Sequence, residues 1–366
     1  MTTLYAVPPV AEADTPRPAP RTPRRIRRFT AEDRFAAIGS FLGSLALVYI
    51  GYLHILYFSG VLGFLVCWYV TFMVLYGVVV SVSNPRPIVV ERLVTSTLYL
   101  ASAVVVLALG STVLYTFAKG WRALVHLNFF TRDMAGVSPT APLTQGGIFH
   151  AIVGTVIEVG IAVAVSVPLG IGTAVYMTEV RGRGSKLVRT IVESMTALPE
   201  ILAGLFVYVV LVIGFGLSKT GLAVSAAMAV TMIPIIARAG EVALRVVPGG
   251  LREASSALGA THWKTVSRVV LPSAAAGLVT ATILAIARGI GETAIPLICS
   301  GASSFTNYDP VNEPMNSLPL MAYTEYSTHE PLAIVRAFGA SSVLLTMVLI
   351  LFVVARLLVR DRGARR

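Results

Sequence analysis

The chain has 366 residues, 55% of them apolar and only 13% charged, a balance that excludes an ordinary soluble domain and suits a polytopic membrane protein. The net charge of +11 raises nucleic-acid binding as a class, but Lys and Arg gather at the ends of apolar runs, which is a topology signal, so no nucleic-acid partner is expected. The two cysteines, Cys67 and Cys299, lie far apart inside apolar runs with no Cys-x-x-Cys spacing, which argues against a disulfide framework and against a metal site.

Residues 1–34 are rich in Pro, Ala and Arg and end in a cluster of Arg24, Arg25, Arg27 and Arg28, the composition of a disordered basic tail kept in the cytoplasm. The first apolar run begins too late, and lacks the small-x-small cleavage site, for a signal peptide. Two spans follow, 35–58 and 61–82, parted only by Ser59 and Gly60, and form an accessory hairpin in which His54 is expected to pack rather than relay protons. Asn84, Pro85, Arg86, Pro87 and Arg92 make a basic cytoplasmic turn before the permease-sized remainder, residues 83–359. Span three covers 93–118, with Tyr115 and Trp121 near the interface, and an external segment runs through 119–147.

Span four, 148–177, contains Glu158 and a Pro168, Gly170, Gly172 cluster that reads as a kink or a close helix contact. Arg181, Arg183, Lys186 and Arg189 follow on the inner side. Span five, 191–215, carries Glu193, Pro199 and Glu200. As one helix it would put the two glutamates on the same face, two turns apart. Span six is 221–236, span seven 273–299 and span eight 333–359, where Arg336 is expected to snorkel outward. The segment 301–330 holds Asp309, Glu313, Glu325 and Glu330 but no Lys or Arg and is expected outside, while the tail 360–366 returns inside. Eight helical crossings put every Arg-rich link and both termini on the cytoplasmic face of an inner membrane, and the fold class is all-α.

Between spans six and seven, residues 241–272 are polar and basic. Pro248, Gly249 and Gly250 signal a turn, after which Leu251, Ala254 and Leu258 recur at i, i+3 and i+7, the pattern of a short amphipathic helix on the water side. Gly259 permits a sharp change of direction, and Pro272 suits the first turn of the next spanning helix. The spacing of Glu253, Ala254, Gly259, Leu271 and Pro272 resembles the EAA loop of ATP-binding-cassette (ABC) importer permeases, with Ser255 and Val269 as departures. That resemblance implies a type I (MetI-like) permease core of six helices, to which the leading hairpin is an addition, and a loop that docks on a separate ATPase subunit. A basic loop anchored to lipid head groups is the competing reading.

Span seven contains Arg288-Gly289-Ile290-Gly291-Glu292-Thr293-Ala294. A charge in a spanning helix needs a partner or a wet cavity, and Glu292, at i+4 from Arg288, is the expected partner. A guanidinium offers a planar fork of donors suited to an oxyanion, and a nearby carboxylate would hold it in the absence of substrate and weaken its grip in the presence of one. A purely structural ion pair is the alternative. R-x-x-G-E-T-A after an EAA loop resembles the permeases of the high-affinity phosphate importer, the Pst system, and GETA points to its PstA-type subunit. The likeness extends over about residues 150–301. It implies a phosphate pathway through Arg288, Glu292 and Thr293; Glu200, which departs from the family's pattern after Pro199, is a further pathway candidate from its place as a charge in a span. It also implies a PstC-type second permease, a PstB-type ATPase homodimer that binds ATP and Mg, and a PstS-type external phosphate-binding protein.

No G-x-x-x-x-G-K-[ST], H-E-x-x-H or G-x-S-x-G is present, so neither a bound nucleotide nor a catalytic residue is expected on this chain, and no cofactor of its own. Phosphonate or sulfate remain alternative cargoes, since a guanidinium does not choose among oxyanions. An ion-coupled secondary transporter would use Glu158, Glu193, Glu200 and Glu292 as carriers and leave the docking loop without a role. A non-transporting scaffold would keep that loop and lose nothing on removal of Arg288.

Overall fold

The structure is a computed structural model that describes residues 31–55, 60–180 and 182–363, and every regular element among them is helical. The basic N-terminal cluster Arg24–Arg28, Arg181 and the last three residues of the C-terminal tail lie outside the described residues. The chain divides into two compact units, residues 1–107 and 108–366.

In the first unit α1 (Ala31–Val48) continues through a π-helical stretch, Tyr49–Ile55, and pairs with α2 (Val61–Ser83) as the expected hairpin. Phe41 meets Trp68 edge to face at 4.9 Å, and Asp33 pairs with Arg92 at 2.7 Å. Arg92 is therefore helical rather than part of a turn. It belongs to α3 (Arg86–Leu124), which starts early because Pro87 falls in its first turn, where a missing N–H leaves no bond unmade. The border between the units falls within α3.

The second unit continues with α4 (Asn128–Thr131), α5 (Phe149–Glu179), α6 (Arg183–Thr196) and α7 (Glu200–Val207), which runs on π-helically over Tyr208–Gly214. Then come α8 (Gly221–Arg245), α9 (Gly249–Ala257) and α10 (His262–Thr265), the last leading through a π-helical Val266–Val270 into α11 (Leu271–Ile290). The unit closes with α12 (Ala294–Cys299), α13 (Leu318–Ser327) and α14 (Pro331–Gly363). Its core lies where α5, α8 and α11 meet, with Met228, Met232, Ile236 and Ile295 buried against Ala162, Ala227 and Ala285. Small residues allow this approach: a Cβ on Gly170 would stand 2.7 Å from the Cβ of Ile236.

Among the described residues seven helices are long and apolar enough to cross a membrane, and the bent pair α6 with α7 makes an eighth crossing if counted as one broken span. The expected span five is thus no single helix. Leu198 precedes a proline and is pushed out of helical geometry, Pro199 is extended (φ −61°, ψ 136°), and the chain bends by 102°. Glu193 and Glu200 consequently do not share a face.

Span six outruns its expected end at Ile236 and continues to Arg245, since no proline follows Pro234 before Pro248 and Gly240 is held by packing against Ala174 and Leu278. Span seven differs at both ends. Its helical run begins at His262, where the Thr261 hydroxyl accepts the Lys264 N–H, so Pro272 sits inside a continuous helix and the preceding π-helical turn accommodates its missing donor. At the other end it breaks at Gly291, Glu292 and Thr293 before α12. The segment 301–330 contains α13, which no sequence signal had marked. The Thr155 hydroxyl, from α5, accepts the Leu318 N–H at 2.8 Å and so caps α13 across a sequence gap.

Candidate functional site

The break in α11 decides the partner of Arg288. Gly289 and Gly291 are poor helix formers, and the Glu292 carboxylate accepts the Ala294 N–H at 3.3 Å, turning back to start α12 rather than reaching along α11. The expected i, i+4 pair with Arg288 is therefore not made. Arg288 instead forms its ion pair with Glu200, the first residue of α7, which the 102° bend carries to it.

The pair lines a small cleft of about 100 Å³ together with Thr196, Leu198, Thr231 and Pro234. The Arg288 side chain is 57% exposed on a helix apolar enough to span a membrane. Facing lipid in that state would cost roughly 2.5–3.5 kcal/mol on insertion scales, so the exposed face of the cleft belongs against water or a partner subunit. Thr293, another pathway candidate, lines a different cavity of about 640 Å³ with Tyr323, Tyr326 and Phe338. Glu158 is fully buried away from the cleft, and among the described residues nothing hydrogen-bonds to either of its carboxylate oxygens.

Glu193 joins a network that sequence reading did not find. It pairs with Arg238 at 3.1 Å, and Arg238 with Glu241 at 3.2 Å. Glu241, its side chain 4% exposed, also takes Arg189 at 2.6 Å and Arg245 at 2.7 Å. This network fastens α6 to the C-terminal half of α8. The spacing of Arg238, Glu241 and Arg245 at i, i+3 and i+7 was the available signal, obscured by ending span six too early.

The expected coupling residues lie on a surface. None of the residues of α9 is buried, Glu253 and Ala254 are exposed, and Leu258 is 89% exposed. Gly259 takes a positive φ of 76°, the left-handed geometry that turns the chain toward α10. Leu271 and Pro272 lie further on, in α11. Two contacts hold α9 in place. Arg252 pairs with Glu179 at the end of α5 at 2.9 Å and donates to the carbonyls of Val247 and Leu244 at 2.9 and 3.2 Å. Ser255, the departure from the second alanine, shares a 2.9 Å hydrogen bond with Thr265.

Arg336 does not snorkel. It is 1% exposed, and its guanidinium donates to the carbonyls of Pro139, Ala141, Pro142 and Gln145 at 3.2, 2.7, 3.1 and 3.4 Å. The loop ahead of α5 wraps over it, offering carbonyls that water would otherwise have to satisfy. Burial in this region pushes the nearby Glu325 carboxyl above its usual range, with the Arg336 charge opposing. Asp133 secures the same cap. Burial raises its pKa, but the N–H groups of Thr306 and Ala135 and the Thr306 hydroxyl donate to the carboxylate and leave it below the ordinary aspartate range.

Comparison with known proteins covers both the cleft and the coupling surface. The family described as binding-protein-dependent transport system inner membrane component matches residues 166–363. The phosphate transport system permease protein PstA 1 of Mycobacterium tuberculosis (strain ATCC 25618 / H37Rv) is 38% identical over 269 residues, 72% of this chain and 87% of that protein. The phosphate transport system permease protein PstA of Mycobacterium leprae (strain TN) is 37% identical over 232 residues, 63% of this chain and 76% of that protein. Among solved structures, an inward-facing conformation of the MetNI methionine ABC transporter has 24% sequence identity and a TM-score of 0.47, covering 59% of this chain and 94% of that one.

Proposed function

Because this chain belongs to the family of binding-protein-dependent transport system inner membrane components, we propose that it is a phosphate-translocating permease subunit of an ATP-driven importer. The observation that carries the reading is Arg288, a guanidinium left more than half exposed at a cleft beside a membrane-spanning helix, where Glu200 is its ion-pair partner. A planar fork of donors in such a place suits a tetrahedral oxyanion. Phosphate is the oxyanion favoured, because relatives 37–38% identical to this chain are phosphate transport permeases.

In this reading Arg288 binds the anion in transit and Glu200 faces it across the cleft. Glu292 and Thr293 hold the break at which α11 gives way to α12. A second, PstC-type permease covers the exposed side of the cleft. The surface of Glu253, Ala254 and Gly259, with Leu271 and Pro272 behind it, meets a PstB-type ATPase dimer, which supplies the ATP and Mg chemistry that this chain lacks motifs for. A PstS-type protein delivers phosphate from outside, and both termini lie on the cytoplasmic side of the inner membrane.

The test is ATP-dependent uptake of labelled phosphate by membranes holding this chain with its co-purified partners, compared with Arg288→Ala and Glu253→Lys. Loss of uptake in both, with ATPase association lost only in Glu253→Lys, is the expected result. Full uptake by Arg288→Ala removes Arg288 from the pathway and the stated reason for an anionic cargo with it.

A further inference from the structure

We propose that Glu200 is a resident counter-ion of Arg288, a specificity-determining residue that the transported anion has to displace in order to bind. The inference rests on the reading of Arg288 as the anion ligand and adds to it what occupies the guanidinium beforehand, and what its displacement releases.

Two helix breaks meet at this pair. Glu200 is the first residue after the bend between α6 and α7, and Arg288 stands in the last turn before the break between α11 and α12. The segments beyond the breaks, α7 and α12, pack on one another. The Cys299 thiol donates to the Gly204 carbonyl at 3.4 Å, and a Cβ on Gly204 would touch Ile295 at 3.4 Å. The Glu200 to Arg288 bond therefore ties the packed pair of short helices back to the long stem of α11. It does so with one charge on each side, at a cleft open enough to admit an anion.

Competition is the natural consequence. A carboxylate and a tetrahedral oxyanion present similar oxygen pairs to a guanidinium, so they contend for one fork of donors. An anion that wins leaves Glu200 uncompensated beside it, and the repulsion lowers affinity and favours release. The same exchange removes one polar tie between α7 and α11, leaving their apolar packing, so anion occupancy and the freedom of the α7 start are linked, and each biases the other. Glu200 thus trades affinity for turnover, the exchange a transport site needs. A chloride offers no oxygen pair and replaces the carboxylate poorly.

The test separates binding from turnover. The assembled complex, without its external binding protein, is placed in nanodiscs for equilibrium binding of labelled phosphate and in proteoliposomes, with the binding protein, for uptake. Glu200→Gln is expected to bind phosphate about fivefold more tightly than wild type, at the low end of typical coupling because the pair is partly exposed, and to transport it several-fold more slowly. Arg288→Ala in either background is expected to abolish binding. Equal affinity and equal rate for Glu200→Gln and wild type, with binding still lost in Arg288→Ala, overturns the counter-ion while sparing the anion ligand. Retention of binding by Arg288→Ala instead overturns the ligand itself. If Glu200→Gln does not assemble, Glu200→Ser takes its place, and failure of both to assemble identifies a purely structural pair and overturns the proposal.

Discussion

Arg336 and Arg288 are the same residue type on two helices of membrane-spanning length, and their surroundings are opposite. Around Arg336 the loop ahead of α5 closes as a cap: four backbone carbonyls surround the guanidinium and solvent is excluded. Around Arg288 the chain breaks twice, one carboxylate answers the charge, and more than half of the side chain stays open. A guanidinium enclosed by backbone carbonyls and shut off from solvent is out of reach of a ligand, whereas one held by a carboxylate at an open cleft can exchange it. Enclosure, not position in an apolar helix, distinguishes an arginine that fastens the fold from one that can bind cargo.

Substitution of each arginine in turn puts that contrast at risk. Arg336→Met should destabilise the protein by on the order of 3 kcal/mol, since it removes several charge-assisted hydrogen bonds and leaves buried carbonyls unsatisfied. The readout is a lower melting temperature and less assembled complex, with uptake per assembled complex retained. Arg288→Met should leave assembly intact and reduce phosphate uptake by about 10- to 100-fold, the worth of a hydrogen bond to a charged group. An exchange of these phenotypes would break the comparison.

A smaller effect is expected from the tie beneath the coupling helix. Arg252→Gln removes the ion pair to Glu179 and weakens the hold on two carbonyls, loosening α9 by about 1–2 kcal/mol without touching the cleft. ATP hydrolysis by the assembled complex should persist while phosphate moved per ATP falls. Unchanged coupling would mean that α9 is fixed by its partner and not by Arg252.

Much of this was legible in the chain. The alternation of apolar runs with basic links marked the spans, and the pattern around Glu253 and Gly259 marked α9 and its turn. The positions of Arg288 and Glu200 as charges in apolar surroundings were also plain, but their pairing was not. A periodicity argument assumes a continuous helix, and both spans concerned are broken, one at Pro199 and one at Gly291. Pro199 was visible, yet the size and direction of a bend come from tertiary packing. Arg336 failed for a related reason: its acceptors are carbonyls of a loop some 190 residues away, and backbone carries no sequence signature. The capping of α13 by Thr155 is equally non-local.

The smallest effect concerns the same cap as a fastened region. Asp133 holds residue 306 against the loop ahead of α5 through two bonds of 3.1 Å from Thr306, and accepts the Ala135 N–H of its own loop at 3.2 Å. These donors favour the ionised carboxylate over the burial that opposes it, so its folded pKa lies below the unfolded value of about 3.9. A group depressed in this way contributes its stabilisation fully above the unfolded pKa, and loses it as pH falls through the folded one. The cap should therefore be insensitive to Asp133 titration at neutral pH and should loosen only in acid below about pH 4. Asp133→Asn should weaken it by about 1 kcal/mol at neutral pH and remove that share of the acid response. Hydrogen exchange of residues 303–306 at neutral and acid pH reads both. Equal protection in wild type and Asp133→Asn at neutral pH would show that packing alone closes the cap, and the charge-centred account of this region would then rest on Arg336 only.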